Sequence, residues 1–256
     1  MGTGQSLSRH EARSGSAGWI AAATFLALLA LTAALVIAFR NSTRIADDLT
    51  HAEEQRLVGR FIKRTERGLL EGAKLQLIWD DAVTNLNAPN PLAWTHYFIS
   101  GYFWDSYRVD YTYQVRFDGT LVRCWRENKP SKQCEYDEVA PLATDTIRRS
   151  VRESQNDGVI ASWRRLGGVD WPYNANGIPV SRGLSAMTRF NSKPAFVAVA
   201  AIVPDKTASL LAHEPDYIVI VRYLDGRVIA DMQDTLLLDG VRFSSKPDYD
   251  PVRNDL

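Results

Sequence analysis

Apolar positions change their pattern three times along the chain. Gly18 to Phe39 (GWIAAATFLALLALTAALVIAF) holds 22 residues without a charge. At 1.5 Å per residue it spans about 33 Å, enough for a hydrocarbon core of roughly 30 Å. A soluble core helix of that length keeps a polar face. A cleaved signal peptide is the rival reading, with an apolar region of usually about 7–15 residues. No later stretch returns through a bilayer: Ala195 to Val203 (AFVAVAAIV) is nine residues, about 14 Å as a helix. The pattern predicts one crossing by 18–39, with 1–17 as a cytoplasmic tail and everything after Arg40 on the opposite side. Arg9 and Arg13 before the span balance Arg40 and Arg44 after it, so the positive-inside rule gives no orientation.

From Arg40 to about Val83 there is no proline, and Ile62, Leu69, Ala73 and Leu77 share one helical face. A long helix is predicted, charged at first (Asp47, Asp48, Glu53, Glu54, Arg56) and packed later. Asn85 to Pro91 (NLNAPNP) ends it, and Asn90-Pro91 starts a second helix over about Leu92 to Trp104, rich in aromatics. The period then becomes two: Tyr111, Tyr113, Val115 and Phe117 alternate with polar residues, Asp118-Gly119 turns the chain, and Leu121 to Trp125 returns. Glu127 to Gln133 is a second polar turn, Pro141 to Glu153 a surface helix, and Gly167 to Gly183 a loop with four glycines and two prolines. Leu184 to Phe190, Pro194 to Val203 and Asp216 to Tyr223 read as strands, the last two almost wholly apolar and therefore central. The tail 246–256 reads as loose. Together these predict an α+β domain, an antiparallel sheet backed by helices, over 40–245.

Composition excludes more than it selects. Thirty basic residues balance thirty acidic ones, so the basic footprint of a nucleic-acid binder is missing. Four histidines (10, 51, 96, 213) and two cysteines have no metal-ligand spacing, and no cofactor motif is present. Cys124 and Cys134 bracket the polar turn. On adjacent strands they would pair across a short loop in an oxidising compartment; two free buried thiols are the alternative. Nucleophile elbows, zinc-protease helices and phosphate loops are absent.

Three groups of residues carry candidate binding chemistry. Trp79-Asp80-Asp81 puts two carboxylates beside an indole at the end of an apolar helix face. One Asp would hold a polar or cationic ligand in an aromatic cage, or else pair with a core Arg or cap the next segment; adjacent residues do not share a helix face, so only one points inward. The aromatic run from Trp94 to Trp104, with Tyr97 and Tyr102, lines a pocket or fills a core. Arg116 and Arg189 offer bidentate groups to an anion, or are solvated. Adjacency of Asp80 and Asp81 prevents the opposed geometry of glycosidase acids.

Several stretches, in order, resemble the CHASE4 domain, an extracytoplasmic sensory module of bacterial membrane receptors: Trp79 to Ala82 (WDDA), Val115 to Val122 (VRFDGTLV), Lys193 to Asp205 (KPAFVAVAAIVPD), Asp216 to Asp225 (DYIVIVRYLD) and Leu236 to Ser244 (LLLDGVRFS). The resemblance covers about residues 55–245. It implies a periplasmic, Cache/PAS-like ligand-sensing fold anchored in the bacterial inner membrane. Such domains usually sit between two membrane helices ahead of GGDEF and EAL domains that make or degrade cyclic di-GMP. This sequence has no second membrane helix and neither output signature, so the chain is either truncated or works through a partner. The expected function is a non-catalytic sensory input with an unknown small-molecule ligand, as a homodimer by analogy with helical-stalk receptors. A membrane-tethered periplasmic enzyme using Asp80 or Asp81, or a scaffold regulating a partner membrane enzyme, are the alternatives.

Overall fold

The computed structural model describes residues 14–88, 92–152 and 160–237. The backbone is helical from Ser14 to Leu77 (α1). Two compact units divide the chain within this helix, one ending at Leu57 and the other beginning at Val58. In the first unit, Gly18–Arg44 is a helix long and apolar enough to cross a membrane, and none of its window is buried. Its large apolar side chains, Trp19, Phe25, Leu29 and Phe39 among them, are all exposed.

The second unit is built on a six-stranded sheet. Its strands are β1 (Tyr111–Val115), β2 (Leu121–Arg126), β3 (Lys129–Pro130), β6 (Gly183–Phe190), β7 (Lys193–Ala201) and β8 (Tyr217–Tyr223). They lie in the order β3-β2-β1-β8-β7-β6, and every neighbouring pair is antiparallel. A separate hairpin pairs β4 (Ser162–Leu166) with β5 (Val169–Tyr173). The α+β class and the antiparallel sheet backed by helices are as the sequence predicts; of the two strands expected to be central, β8 is in the middle pair, and β7 is interior but lies next to the edge strand β6.

Both faces of the sheet are covered, which explains the near-continuous apolar runs. Along β7 and β8, Ala195, Val197, Val199, Val219 and Val221 face one core, joined by Val139, Ala143 and Ile147 of α5 (Tyr136–Arg152) and by Trp171 of β5. Phe196, Ala198, Ala200, Ile218 and Ile220 face the other, against Leu69, Leu70, Ala73 and Leu77 of α1, with Val83, Leu86, Ile99 and Phe103. In β1 the polar residues that alternate with the apolar ones, Thr112 and Gln114, are buried like their neighbours. α1 reaches the sheet closely at Gly183, where an added Cβ would lie 2.5 Å from the Val199 carbonyl and 3.0 Å from Leu70 Cδ1.

Several boundaries differ from the sequence reading. The long helix does not run to Val83; it stops at Leu77, and α2 (Asp80–Leu86) starts anew. Asn90-Pro91 lies outside the described residues. The second helical run is longer than predicted and changes pitch, from α3 (Leu92–Thr95) through a π-helical turn His96–Gly101 to α4 (Tyr102–Tyr107). α5 begins at Tyr136, so Pro141 lies within it. Proline lacks an N–H and costs least in the first turns; the buried stripe of Val139, Ala143, Ile147 and Ser150 outweighs it. Buried Arg182 closes the far end of this helix, donating to the carbonyls of Ser150 (2.9 Å) and Val151 (2.6 Å). The supposed loop 167–183 contains β5, with the turn at Gly167-Gly168. Beyond Tyr223 the structure adds α6 (Gly226–Leu236), capped by Asp225, whose Oδ1 accepts the Arg227 N–H at 3.0 Å. Arg227 then bridges Asp225 and Asp110 (Nη2 to Asp110 Oδ1, 2.8 Å), tying α6 to the sheet.

Cys124 of β2 and Cys134 are joined in a disulfide with their Cα atoms 6.3 Å apart, inside the span such bridges require. The Tyr113 hydroxyl donates to the Cys134 carbonyl (2.9 Å), holding the bridged loop against the sheet.

Candidate functional site

The residues singled out in the sequence gather mainly where α1 ends. Ile78 leaves the helix to form a parallel bridge with Val203, the extension of β7, and the Val203 N–H donates to the Leu77 carbonyl at 3.1 Å. Trp79 is extended (φ −163°, ψ 150°). Trp79-Asp80-Asp81 therefore spans a break between two helices and does not close one. A carboxylate at the start of α2 suits the positive end of the helix dipole.

Asp80 is bound to the protein itself. Its Oδ1 accepts backbone N–H groups from Asp205 (3.2 Å), Lys206 (3.1 Å) and Thr207 (3.1 Å). In return the Asp80 N–H donates to Asp205 Oδ1 at 3.0 Å. Burial is the largest single influence on the Asp80 pKa and pushes it up, but the hydrogen bonds from Thr207, Lys206 and Asp205 together prevail and hold the carboxyl below its usual range. The arrangement is a reciprocal cap between two segments far apart in sequence, and it joins the end of α1 to the segment that prolongs β7. Asp81 is exposed; its carbonyl accepts from Asn85 Nδ2 at 2.8 Å.

Trp79 packs in a filled aromatic cluster. Its ring lies 5.4 Å from Trp94 and 5.9 Å from Phe98, and Trp94 stacks on Phe98 at 5.1 Å. The Trp79 indole N–H donates to the Gln76 carbonyl (2.5 Å), and Gln76 Nε2 donates to the Phe98 carbonyl (2.6 Å). The last turn of α1 is thus tied to the π-helical turn. Tyr97 is 73% exposed on the rim, with its ring 4.9 Å from Phe98. Tyr102 is half-buried against Phe103 and Tyr107; burial, with a hydrogen bond to Tyr107, raises its pKa to about 12.

Strand register separates the two arginines. Arg116 follows Val115, which pairs with Tyr217, and Tyr217 with Ala201. Arg189 pairs with Pro194, at the end of the sheet where Tyr223 meets Ala195. Both are exposed and lie at opposite ends, so they share no ligand. Asp216, which the sequence reading did not select, sits near Arg116. It accepts from Gln114 Nε2 (2.9 Å), while Arg123 Nη1 donates to Gln114 Oε1 (2.7 Å). Burial raises the Asp216 pKa against the pull of Gln114, Arg116, His213 and Arg123. The adjoining crevice, lined by Val83, Leu86, His213 and Asp216 among others, holds about 10 Å³, room for no more than one water.

A larger opening lies elsewhere. A groove of about 390 Å³ is lined by His96, Trp104, Glu127, Asn128 and Lys129. Of the aromatic run, Trp104 lines it and Tyr97 and Tyr102 do not. Its walls, the π-helical turn and the tight turn between β2 and β3, are joined by a hydrogen bond from Ser100 Oγ to Asn128 Oδ1 (3.1 Å). Glu127 and Asn128 take positive φ (46° and 62°), as a two-residue hairpin turn requires. Asn128 was the available sequence signal. Among the described residues no cluster of three or more potential ligands is arranged for a metal ion.

A family model described as the CHASE4 domain matches residues 69–244, well over half of the chain. Comparison with curated proteins gives no match. Among solved structures, the periplasmic sensory domain of the Campylobacter jejuni chemoreceptor Tlp1 is similar at 12% identity and a TM-score of 0.34; the match covers 76% of this chain and 62% of that one.

Proposed function

The chain belongs to the CHASE4 domain family, and from that premise we propose that it is the input half of a bacterial signalling system whose output is linked to cyclic di-GMP, anchored once in the inner membrane with its sensory domain in the periplasm. In this reading a small ligand, bound by the domain, alters the sheet and its helical layers, and the change reaches the membrane through α1 within a homodimer. The observation that carries the proposal is the joint at Asp80: one carboxylate oxygen holds three consecutive backbone N–H groups beyond β7, directly where α1 ends. Such a joint couples a shift of β7 to a shift of the helix, the kind of small displacement that packed elements pass on as discrete states. The same commitment of Asp80 argues against its use as an acid or base, and Asp81 is exposed to solvent.

The test is made in the source bacterium. Deleting the gene should change cellular cyclic di-GMP. Wild-type complementation should restore it, and Asp80→Ala, present at equal level in the membrane, should not. An unchanged cyclic di-GMP level in the deletion strain would refute the output assignment. Alkaline phosphatase fused after Leu237 should be active, as a periplasmic domain requires; an inactive fusion would refute the orientation.

A further inference from the structure

We propose that the groove between the π-helical turn and the β2–β3 turn binds a small zwitterion, a molecule carrying both an ammonium and a carboxylate group. The inference rests on the sensor reading and names the ligand class and its place. Four observations meet there. The opening, about 390 Å³, falls in the usual range of small-molecule sites, roughly 300–1,000 Å³. Beside it, His96 lines the groove while its Nδ1 is closed to solvent and has no hydrogen-bond partner, a position that costs free energy. At the rim, Glu127 and Lys129 carry opposite charges, and neither forms an ion pair among the described residues. The Trp104 ring supplies an apolar face, with the Arg108 guanidinium 5.9 Å from its centroid.

These groups sort a ligand by charge. Lys129 suits a carboxylate and Glu127 an ammonium, and the indole takes the hydrocarbon or a methylated ammonium. A simple anion would leave Glu127 opposing it, and a simple cation would meet Lys129. Besides the Ser100–Asn128 hydrogen bond, the walls approach at Gly101, where an added Cβ would meet Asn128 Oδ1 at 3.6 Å, ordinary van der Waals contact. The site also has a route to α1. The π-helical turn that presents His96 presents Phe98 as well, whose carbonyl accepts from Gln76 in the last turn of α1. π-helical turns are frequent at functional sites because the extra residue can be taken up or released locally.

The experiment is calorimetric titration of the full chain in lipid nanodiscs with two zwitterion sets, free L-amino acids and glycine betaine, against acetate and choline as singly charged probes. Binding by at least one zwitterion set, and at least tenfold weakening by Glu127→Gln and by Lys129→Gln, is expected. Both side chains are exposed, so thermal midpoints should stay at wild type and separate lost binding from lost folding. Amino acids outbinding betaine would place the ammonium against Glu127 through hydrogen bonds; the reverse would place it on Trp104, and Trp104→Ala should then abolish binding. No zwitterion binding up to about 10 mM, binding that survives both substitutions, or acetate or choline binding as tightly, would overturn the assignment. If the Asp80→Ala strain still loses its cyclic di-GMP response in that case, the sensor reading stands and only the ligand site falls.

Discussion

Asp80→Ala is the substitution that asks most of the structure. The carboxylate oxygen accepts three backbone N–H groups, of which that of Asp205 is partly buried and those of Lys206 and Thr207 are open to water. Hydrogen bonds to a charged group contribute about 1.5–3 kcal/mol when the freed donors have no substitute. Water can replace Asp80 at Lys206 and Thr207, so the loss concentrates on Asp205. Removing the negative charge from the first turn of α2 adds about 0.3–1 kcal/mol. The sum is about 2–4 kcal/mol, equivalent to a fall of about 4–16 °C in Tm for a domain of this size. Asp80→Asn keeps an acceptor and loses only the charge, so about 1 kcal/mol is expected.

The pH dependence distinguishes this account from general damage. The folded Asp80 carboxyl titrates below its usual range, so its contribution is complete above the unfolded value and disappears as pH falls through the folded one. The gap between wild type and Asp80→Asn should therefore be widest at neutral pH and close under acid conditions. Urea unfolding of the nanodisc-embedded chain, followed by circular dichroism across pH, measures both quantities. A loss below about 0.5 kcal/mol for the alanine variant, or an asparagine variant as damaged as alanine, would show that the three N–H groups do not depend on this carboxylate.

Other substitutions test other parts of the fold. Asp216 has a raised pKa through burial, so it favours folding below its unfolded pKa and loses that contribution as pH rises through the folded one. Asp216→Asn should remove this downward slope from the stability profile above the ordinary carboxylate range, and an unchanged slope would contradict the assignment. Cys134→Ser should lower stability by about 2–3 kcal/mol for so short a loop; thiol labelling of the unfolded wild-type chain should find no free thiol before reduction and two after it. Gly183→Ala forces a methyl against the Val199 carbonyl and Leu70 and should cost about 1–3 kcal/mol; a neutral effect would mean that α1 does not approach the sheet so closely.

Much of the fold follows from periodicity, and the exceptions have physical causes. The runs AFVAVAAIV and YIVIV are uninterrupted because α1 covers one face of the sheet and α5 the other. In β1 the same two-sided burial is masked, since Thr112 and Gln114 are polar yet lie inside. The end of α1 could not be located from local pattern: Leu77, Ile78 and Trp79 form an apolar run without a turn signal, and the chain leaves the helix at a bridge to Val203, distant in sequence. The role of Asp80 was hidden for the same reason, because its partners at 205–207 meet it only through the sheet. The β4–β5 hairpin was obscured by its glycines and by Pro172, which suit a strand flanked by tight turns as well as they suit a loop. Tyr97 and Trp104, alike as members of one aromatic run, end up on a rim and in a groove because a π-helical turn lies between them and shifts the angular order that an α-helix would give.

That same turn relates the groove to the joint. The Gln76 side chain donates to the Phe98 carbonyl, and the Gln76 carbonyl accepts the Trp79 indole N–H. The π-helical turn is therefore held from the side of α1 and the helix break is held by the same residue. One residue to the far side of the break, Asp80 binds the segment that prolongs β7. A ligand that fixes His96 restricts the π-helical turn; by linkage it favours whichever position of the α1 terminus satisfies Gln76, and by the Asp80 joint that position is shared with the sheet. The expected signature is local. On addition of a bound zwitterion, hydrogen exchange should slow at 96–101 and at 203–207, two stretches that are remote in sequence. In Gln76→Ala the first stretch should still slow and the second should not. Slowing of both stretches in that variant would break the proposed link while leaving the groove and the joint each intact.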